Sequence, residues 1–519
     1  MKFTIKTHDI VNSFDALKDK IDAEALVIAE YKSSTKKAKL SNLFTQVDKL
    51  LSKELSALVS DEKFEFNQAE TLVYRIPASL RTKLKITNIK KIILLGLGEE
   101  DKAKTLPTIQ RKSLAALVRK VKAEKLASYA IASYDQIELQ IETPILINYE
   151  FNKYKSKSKD EKDIKIELSH VTIFNKSYGA KDKACIKAAE SIARATCKAR
   201  DLVWEPACTV TPTFLAKEAK KIKGAGLTTK ILEKAECKKL GMGAFLAVAE
   251  GSDQLPKFIE MSYKPKGKVK KHIAVIGKGV TFDSGGLSLK PPKAMEMMKE
   301  DMSGSAAVIG VMNAIAELQP AGVQVTGIIA ATENMPSGKA YRPGDVITAM
   351  NGKTIEVNNT DAEGRLTLAD AVTYASTKNP DEIIDIATLT GACLVALGNV
   401  CAGLMTNNQD LLDRVKTSAE NTGELVWQLP LYDEYKSKLK SSIADLINAG
   451  SGGKAGAQNG GLFIQEFIGK QKKSDEQIPW LHMDIAGPCW LDEDNDWSPK
   501  GASGVPVRTL LDYILSYSK

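Results

Sequence analysis

Four acidic residues stand out because each lies in a run of small residues with a basic residue close by. They are Asp283 in GKGVTFDSGGLSLK, Asp301 in KEDMSGSAAV, and Asp361 with Glu363 in NNTDAEGRLTLAD, where Arg365 follows. Taken singly, an acid at the start of a helix needs no further explanation, since it caps free N–H groups and faces the positive end of the helix dipole. Four that converge are a different matter. Like charges a few ångströms apart cannot all ionise, so the group either takes up protons or binds cations. Carboxylate-rich sites suit two divalent ions roughly 3.5–4 Å apart, which clamp a tetrahedral transition state in hydrolysis. A histidine-based zinc site is disfavoured, because the chain has only four histidines, His8, His170, His272 and His482, and no HExxH.

Other chemistries fit less well. The apolar run Lys91–Gly98 ends in Gly-x-Gly but lacks the third glycine, and Glu99, Glu100 and Asp101 would repel a phosphate, so an ordinary strand-to-helix turn is expected. A second apolar run, His272–Ile276, leads into a glycine-rich loop bearing Lys278, Asp283 and Lys290. A phosphate loop would need Gly-Lys-Ser/Thr opening a helix, whereas Gly279 and Val280 follow Lys278. His482, in WLHMDIAG, reads as a hydrogen-bonded structural histidine on a strand. By spacing alone Met298, beside Met295 and Met297, reads as core.

The elements that must position these groups can be read from periodicity. Val346–Val357 contains two β-prone runs joined by Asn351-Gly352, the signature of a hairpin with a type I′ turn. Leu366, Leu368, Ala369, Ala371 and Val372 recur at helical spacing, which places Asp361 and Glu363 on a turn at a helix N-terminus. Strands are expected at His272–Ile276, Val323–Ala330, Glu382–Ile386 and Trp480–Ile485, and helices at Ser303–Leu318, Leu366–Thr377 and Gly461–Ile468, the alternation of an α/β domain. A polar lysine/serine loop around 151–163 precedes an alanine-rich helix, Lys181–Val203, that reads as a connector. At 519 residues the chain exceeds one ordinary core. The divisions expected are 1–176, a connecting helix at 177–204, and 205–519.

Composition narrows the class. Hydrophobic residues make up 43% and charged residues 26%, as in a soluble globular chain. Seven cysteines without CxxC spacing argue against disulfides or a thiolate zinc site and point to a reducing compartment. The N-terminus shows no continuous apolar region of a secretory signal. The longest apolar stretch, Ile383–Met405, is interrupted by Asp385, Thr388, Thr390, Asn399 and three glycines, so a buried strand leading into a packed loop is expected rather than a membrane span. The net charge of +9 comes with lysine runs at 32–39, 153–165 and 264–272, which lack interleaved aromatics and read as solvated loops more than as a nucleic-acid surface.

Together, GKGVTFDSGGLSLK, KEDMSGSAAV, NNTDAEGRLTLADA and TLTGA resemble the leucine aminopeptidase (cytosol aminopeptidase) family of two-metal exopeptidases. The resemblance spans about 205 to 519 and includes ADLIN at 444–448, HMDIAG at 482–487 and the C-terminal GVPVRTLLDYI. It implies a smaller N-terminal α/β domain, a connecting helix, and a larger C-terminal α/β catalytic domain with a central mixed sheet. It further implies that Lys278, Asp283, Asp301 and Glu363 hold a tight metal, and that Asp283, Asp361 and Glu363 hold a more exchangeable one. Zinc is implied, with manganese or magnesium at the exchangeable site, and a hydroxide shared between the ions. Lys290 would stabilise the gem-diolate, Arg365 would hold a bicarbonate general base, and Met298, Thr388 and Gly391 would line the pocket for the first side chain. The implied enzyme removes leucine and other apolar N-terminal residues from peptides, forms a homohexamer and works in the cytoplasm.

Two departures are visible. Arg200-Asp-Leu-Val-Trp-Glu-Pro-Ala-Cys208 carries Trp204 and Cys208 where the family pattern has asparagines, and Gly460-Gly461 stand where alanines are usual, implying a looser wall near the substrate side chain. Two rival functions remain from other classes. A DNA-binding side role is suggested by the basic charge and by some bacterial relatives, and a magnesium-dependent phosphoryl transferase is weighed against by the missing phosphate-loop lysine.

Overall fold

Residues 3–9, 21–32, 40–134, 136–156, 167–175, 178–450, 453–472 and 474–518 are described by a computed structural model. Most of the lysine runs expected at 32–39 and 153–165 lies outside them. The chain divides into two compact units, residues 1–194 with 494–499, and 195–493 with 500–519. The helix Ala180–Trp204 runs through the point of division.

The first unit is built on a six-stranded sheet in the order Thr4–Asp9, His170–Asn175, Ser128–Ala132, Ala25–Lys32, Lys91–Glu99, Thr71–Arg75. All pairs are parallel except the last. Leu26, Ile28, Ile92 and Leu94 project from neighbouring strands into one core with Phe44 and Val47 of the helix Asn42–Leu50. That helix starts where the Ser41 hydroxyl accepts from the Phe44 N–H at 3.1 Å, satisfying one of the free donors of its first turn. The Gly-x-Gly end of Lys91–Glu99 passes directly into the helix Glu100–Thr105, the plain strand-to-helix turn expected.

The second unit carries an eight-stranded mixed sheet in the order Leu425–Gln428, Cys401–Thr406, Trp480–Asp484, Glu382–Ala387, Lys271–Asp283, Val323–Asn334, Lys257–Tyr263, Leu227–Leu232. The four strands from Trp480–Asp484 to Val323–Asn334 are mutually parallel. Their residues are buried nearly throughout, as both faces are covered. On one face the helix Ser303–Leu318 lies tight against the sheet because its first turns are small: a Cβ on Gly304 would meet the Ile386 carbonyl oxygen at 2.1 Å. Among the described residues no helix is long and apolar enough to cross a membrane.

Several elements differ from the periodicity reading. The strand from Lys271 runs on to Asp283, so Lys278 and Asp283 belong to strand rather than to the glycine-rich loop. Its neighbour also continues, to Asn334, and supplies pairing partners for residues that have no apolar signal of their own. Ile383–Met405 is not a strand and a loop: it holds most of the strand Glu382–Ala387, the helix Gly391–Leu397, and the strand Cys401–Thr406. The hairpin forms between Val346–Thr348 and Thr354–Glu356, but its turn is not type I′. The Gly352 N–H bonds the Ala349 carbonyl at 2.9 Å, and only Gly352 (φ +89°), not Asn351, takes positive φ, as in a type I turn closed by a left-handed glycine. The helix expected at Gly461–Ile468 is Gly456–Gln465, and Gly460-Gly461 lie inside it. Those two do not loosen the wall, since a Cβ there would meet Leu389 Cδ2 at 2.9 Å and Met405 Sδ at 2.7 Å.

Candidate metal centre

The site forms beyond the carboxyl ends of the central parallel strands, where ligands bind in open α/β sheets. Asp283 is the last residue of its strand, and the loop that follows is closed by the Lys290 N–H donating to the Ser284 carbonyl at 2.9 Å. Thr388 and Gly391 follow Glu382–Ala387, and Ala486 follows Trp480–Asp484. Asp301 reaches the same place from the turn before Ser303–Leu318.

Asp361 and Glu363 arrive on the segment between the hairpin and the helix Gly364–Ser376, and that segment is tied down residue by residue. The Asn359 Oδ1 accepts from the Asp361 N–H at 2.9 Å. The Thr360 hydroxyl donates to the Gly285 carbonyl at 2.6 Å and accepts from the Ser288 N–H at 2.7 Å, which laces this segment to the loop after Asp283. Asn448, in ADLIN, accepts from the Asn358 N–H at 3.0 Å and donates to the Asn359 carbonyl at 2.7 Å. Gly364 is needed here for a close approach to a side chain rather than to backbone: a Cβ would stand 2.7 Å from Lys278 Nζ.

A cavity of about 260 Å³ is lined by Lys278, Asp283, Lys290, Met298, Asp301, Asp361, Glu363, Thr388 and Gly391, together with Glu300, Leu394 and Ala486 among others. One carboxylate oxygen each from Asp283, Asp361 and Glu363 lie within 4.8 Å of one another. Lys278 Nζ donates to Asp301 Oδ1 at 2.6 Å and to the Thr388 carbonyl at 3.1 Å, and stands 2.9 Å from Glu363 Oε1. Lys290 Nζ is 2.9 Å from Asp283 Oδ2 and 2.5 Å from Asp361 Oδ1. Arg365, of all the expected site residues, does not line the cavity; it is buried and donates from Nη1 to the Asn448 carbonyl at 3.0 Å.

The charges do not balance. Burial pushes the Asp301 carboxyl well above the usual range, and Glu363 and Asp283 add to this against the opposing Lys278. Burial likewise raises Glu363, with Asp283 adding to it, and raises Asp361. Burial alone would lower both lysines, but the surrounding carboxylates outweigh it and hold Lys278 and Lys290 above the ordinary ammonium range. Burial pulls Arg365 down to about 10. Two ammonium groups against four carboxylates leave a deficit of positive charge. Asp301 Oδ2 and Glu363 Oε2 are buried and accept no hydrogen bond. Unpartnered acceptors of that kind, beside a convergent carboxylate triad, suit divalent cations.

Some contributors were not among the expected site residues. Asn334 Nδ2 donates to Asp283 Oδ1 at 2.8 Å and to the Thr360 carbonyl at 3.0 Å, so it aims the one carboxylate and fixes the segment bearing the other two. Asn448 holds both that segment and Arg365. Glu300 lines the cavity, and burial pushes its carboxyl up to about 7. His482 has the structural role expected: its Nδ1 lies 2.5 Å from Asp385 Oδ1, and Trp480 Nε1 donates to the other oxygen at 2.6 Å.

Comparison with known proteins identifies the family. The description "Cytosol aminopeptidase family, catalytic domain" matches residues 197–511, and "Cytosol aminopeptidase family, N-terminal domain" matches 27–158. A probable cytosol aminopeptidase of Aquifex aeolicus (strain VF5) is 45% identical over 441 residues, covering 83% of this chain and 86% of its own. One of Alkaliphilus oremlandii (strain OhILAs) is 42% identical over 519 residues, 97% of this chain and 99% of its own. Among solved structures, a mutant of tomato leucine aminopeptidase superposes with a TM-score of 0.83 at 37% identity, covering 99% of this chain and 97% of its own. The bottromycin maturation enzyme BotP in complex with Mn does so with 0.79 at 29%, covering 96% and 100%.

Proposed function

The chain belongs to the cytosol aminopeptidase family and is a metal-dependent aminopeptidase; from that premise we propose which residues do the work and how. The observation that carries the proposal is the convergence of Asp283, Asp361 and Glu363 oxygens within 4.8 Å in the cavity that also holds Lys278, Asp301 and Lys290. Lys278, Asp283, Asp301 and Glu363 are assigned to one divalent ion, and Asp283, Asp361 and Glu363 to the second. We take zinc as the ion of the first site, with zinc, manganese or magnesium at the second; a similar structure, that of BotP, is a complex with Mn, which supports metal binding here. When bound, two such ions supply an activated water at neutral pH and polarise the scissile carbonyl.

The chain's own residues then have distinct tasks. Lys278 can give a lone pair only after losing the proton now held between Asp301 and Glu363. Lys290 keeps its charge and stabilises the oxyanion that develops as the carbonyl is attacked. Arg365, its guanidinium fixed by the Asn448 carbonyl, would hold a bicarbonate, which would supply a general base when bound. Met298, Thr388 and Gly391 receive the first side chain, with leucine and other apolar residues preferred. We place the enzyme in the cytoplasm, where its curated relatives are named.

The free α-amine is the feature that separates this activity from an amidase or endopeptidase. Leucyl amide should be hydrolysed, and acetyl-leucyl amide should be neither cleaved nor a strong competitor, since acetylation removes the amine lone pair and adds bulk. Activity on the free amide should rise from about pH 7 toward 9, because an α-amine of pKa about 8 must be neutral to donate that pair. Equal kcat/KM for the two amides across this range would withdraw the exopeptidase reading.

Assembly is a separate expectation, carried by the family resemblance: a homohexamer of two stacked trimers. Gel filtration with light scattering should report a mass near six chains. A fully active monomer at all concentrations would refute it.

A further inference from the structure

One carboxylate on the cavity wall has no task in the two-metal chemistry. Glu300 lines the cavity with Met298 and Asp301, and its Oε2 is buried yet accepts no hydrogen bond. Such an oxygen is costly to leave without a partner. The adjacent cation makes no hydrogen bond to it. Lys299 donates instead to the Trp204 carbonyl at 2.9 Å, and its Nζ stands 5.5 and 5.6 Å from the ring centroids of Trp204 and Trp490, an indole pair 4.6 Å apart. Two aromatic faces and a carbonyl thus engage the ammonium directly, and it acts on Glu300 only through space. Through space Lys299 favours the charged Glu300 carboxylate and Asp492 opposes it.

We infer that Glu300 is a specificity-determining residue that receives the ammonium or guanidinium group of a substrate whose first residue is lysine or arginine. The inference rests on the aminopeptidase reading of this cavity and extends its range from apolar to basic first residues. A long basic side chain suits a wall of this composition, since its methylene stem packs on apolar surface while its tip needs a polar partner. Met298 offers the first and Glu300 the second.

The test uses the full-length, metal-loaded enzyme with lysyl amide and norleucyl amide, whose first side chains are similar in length and differ in charge. Wild type is expected to cleave the lysyl substrate at least as well as the norleucyl one. In Glu300→Gln the ratio of kcat/KM, lysyl over norleucyl, should fall about ten- to hundredfold, as for loss of a charged hydrogen bond, and in Glu300→Lys further. Metal content measured on both variants should match wild type. A ratio within about twofold of wild type in both variants overturns the assignment. So does a wild type that prefers norleucyl amide by about a hundredfold, or a loss of bound metal in Glu300→Gln, which would make the residue a support for Asp301. Failure to cleave any free amide, leucyl amide included, would instead overturn the aminopeptidase reading itself.

Discussion

Asp283→Ala should abolish peptide hydrolysis and lower the bound metal, and Glu363→Ala should do the same. Both residues are assigned to both ions, so neither site keeps its donor set when one is lost. Asp361→Ala is expected to deplete mainly the exchangeable ion and to retain about one per subunit. The structure makes Asp283 the most exposed to this test, because three groups converge on its carboxylate: Asn334 Nδ2, the Gly285 N–H and Lys290 Nζ. Removing it leaves a buried amide unmet, so a fall in activity could come from the fold alone. Glu363→Gln separates the two causes, since it keeps the shape and removes the charge. Metal per subunit after dialysis, read with kcat/KM and a thermal melt, decides the matter. Full activity in Asp283→Ala would sink the two-metal assignment.

Lys290→Ala should bind both ions and fold normally yet lose roughly 2–4 kcal/mol of transition-state stabilisation, about 30- to 1,000-fold in rate, as for other lost oxyanion donors. Lys290 Nζ lies beside Asp283 and Asp361, and its side chain is 15% exposed, against 3% for Lys278. That difference suits one lysine to meet substrate and the other to stay within the cluster. Loss should appear mainly in kcat, because an oxyanion forms only as the carbonyl is attacked. A collapse of metal content in Lys290→Ala would make it a ligand or a structural residue instead.

The helix Ser303–Leu318 was legible to the residue, because small or apolar residues fill it except at Asn313 and Glu317, and thirteen of its sixteen residues are buried. The strand from Lys271 was legible only in its first half. Its continuation to Asp283 depends on the partner strand Val323–Asn334, and no local pattern reports a partner. The helix Gly456–Gln465 was displaced by five residues at its start for a related reason. Glycines discourage a helix reading, yet here Leu389 and Met405 fill the space their side chains would occupy.

The sequence by itself determined the family and the α/β class, and it singled out acidic residues that line one cavity, since NTDAEGRL and its companion runs combine residue types that chance rarely assembles. It could not say that those residues meet. Asp283 and Glu363 are eighty positions apart, and their approach is a product of parallel strand order and of loops held by Thr360, Asn334 and Asn448. Nor could it show Glu300 without a partner, because its neighbour in sequence is a lysine, and adjacency suggests an ion pair. Which way Lys299 turns is decided by Trp204 and Trp490, residues 286 positions apart that only folding brings together. Charge pairing in a folded chain follows distance through space, and that quantity exists only once the tertiary structure has formed.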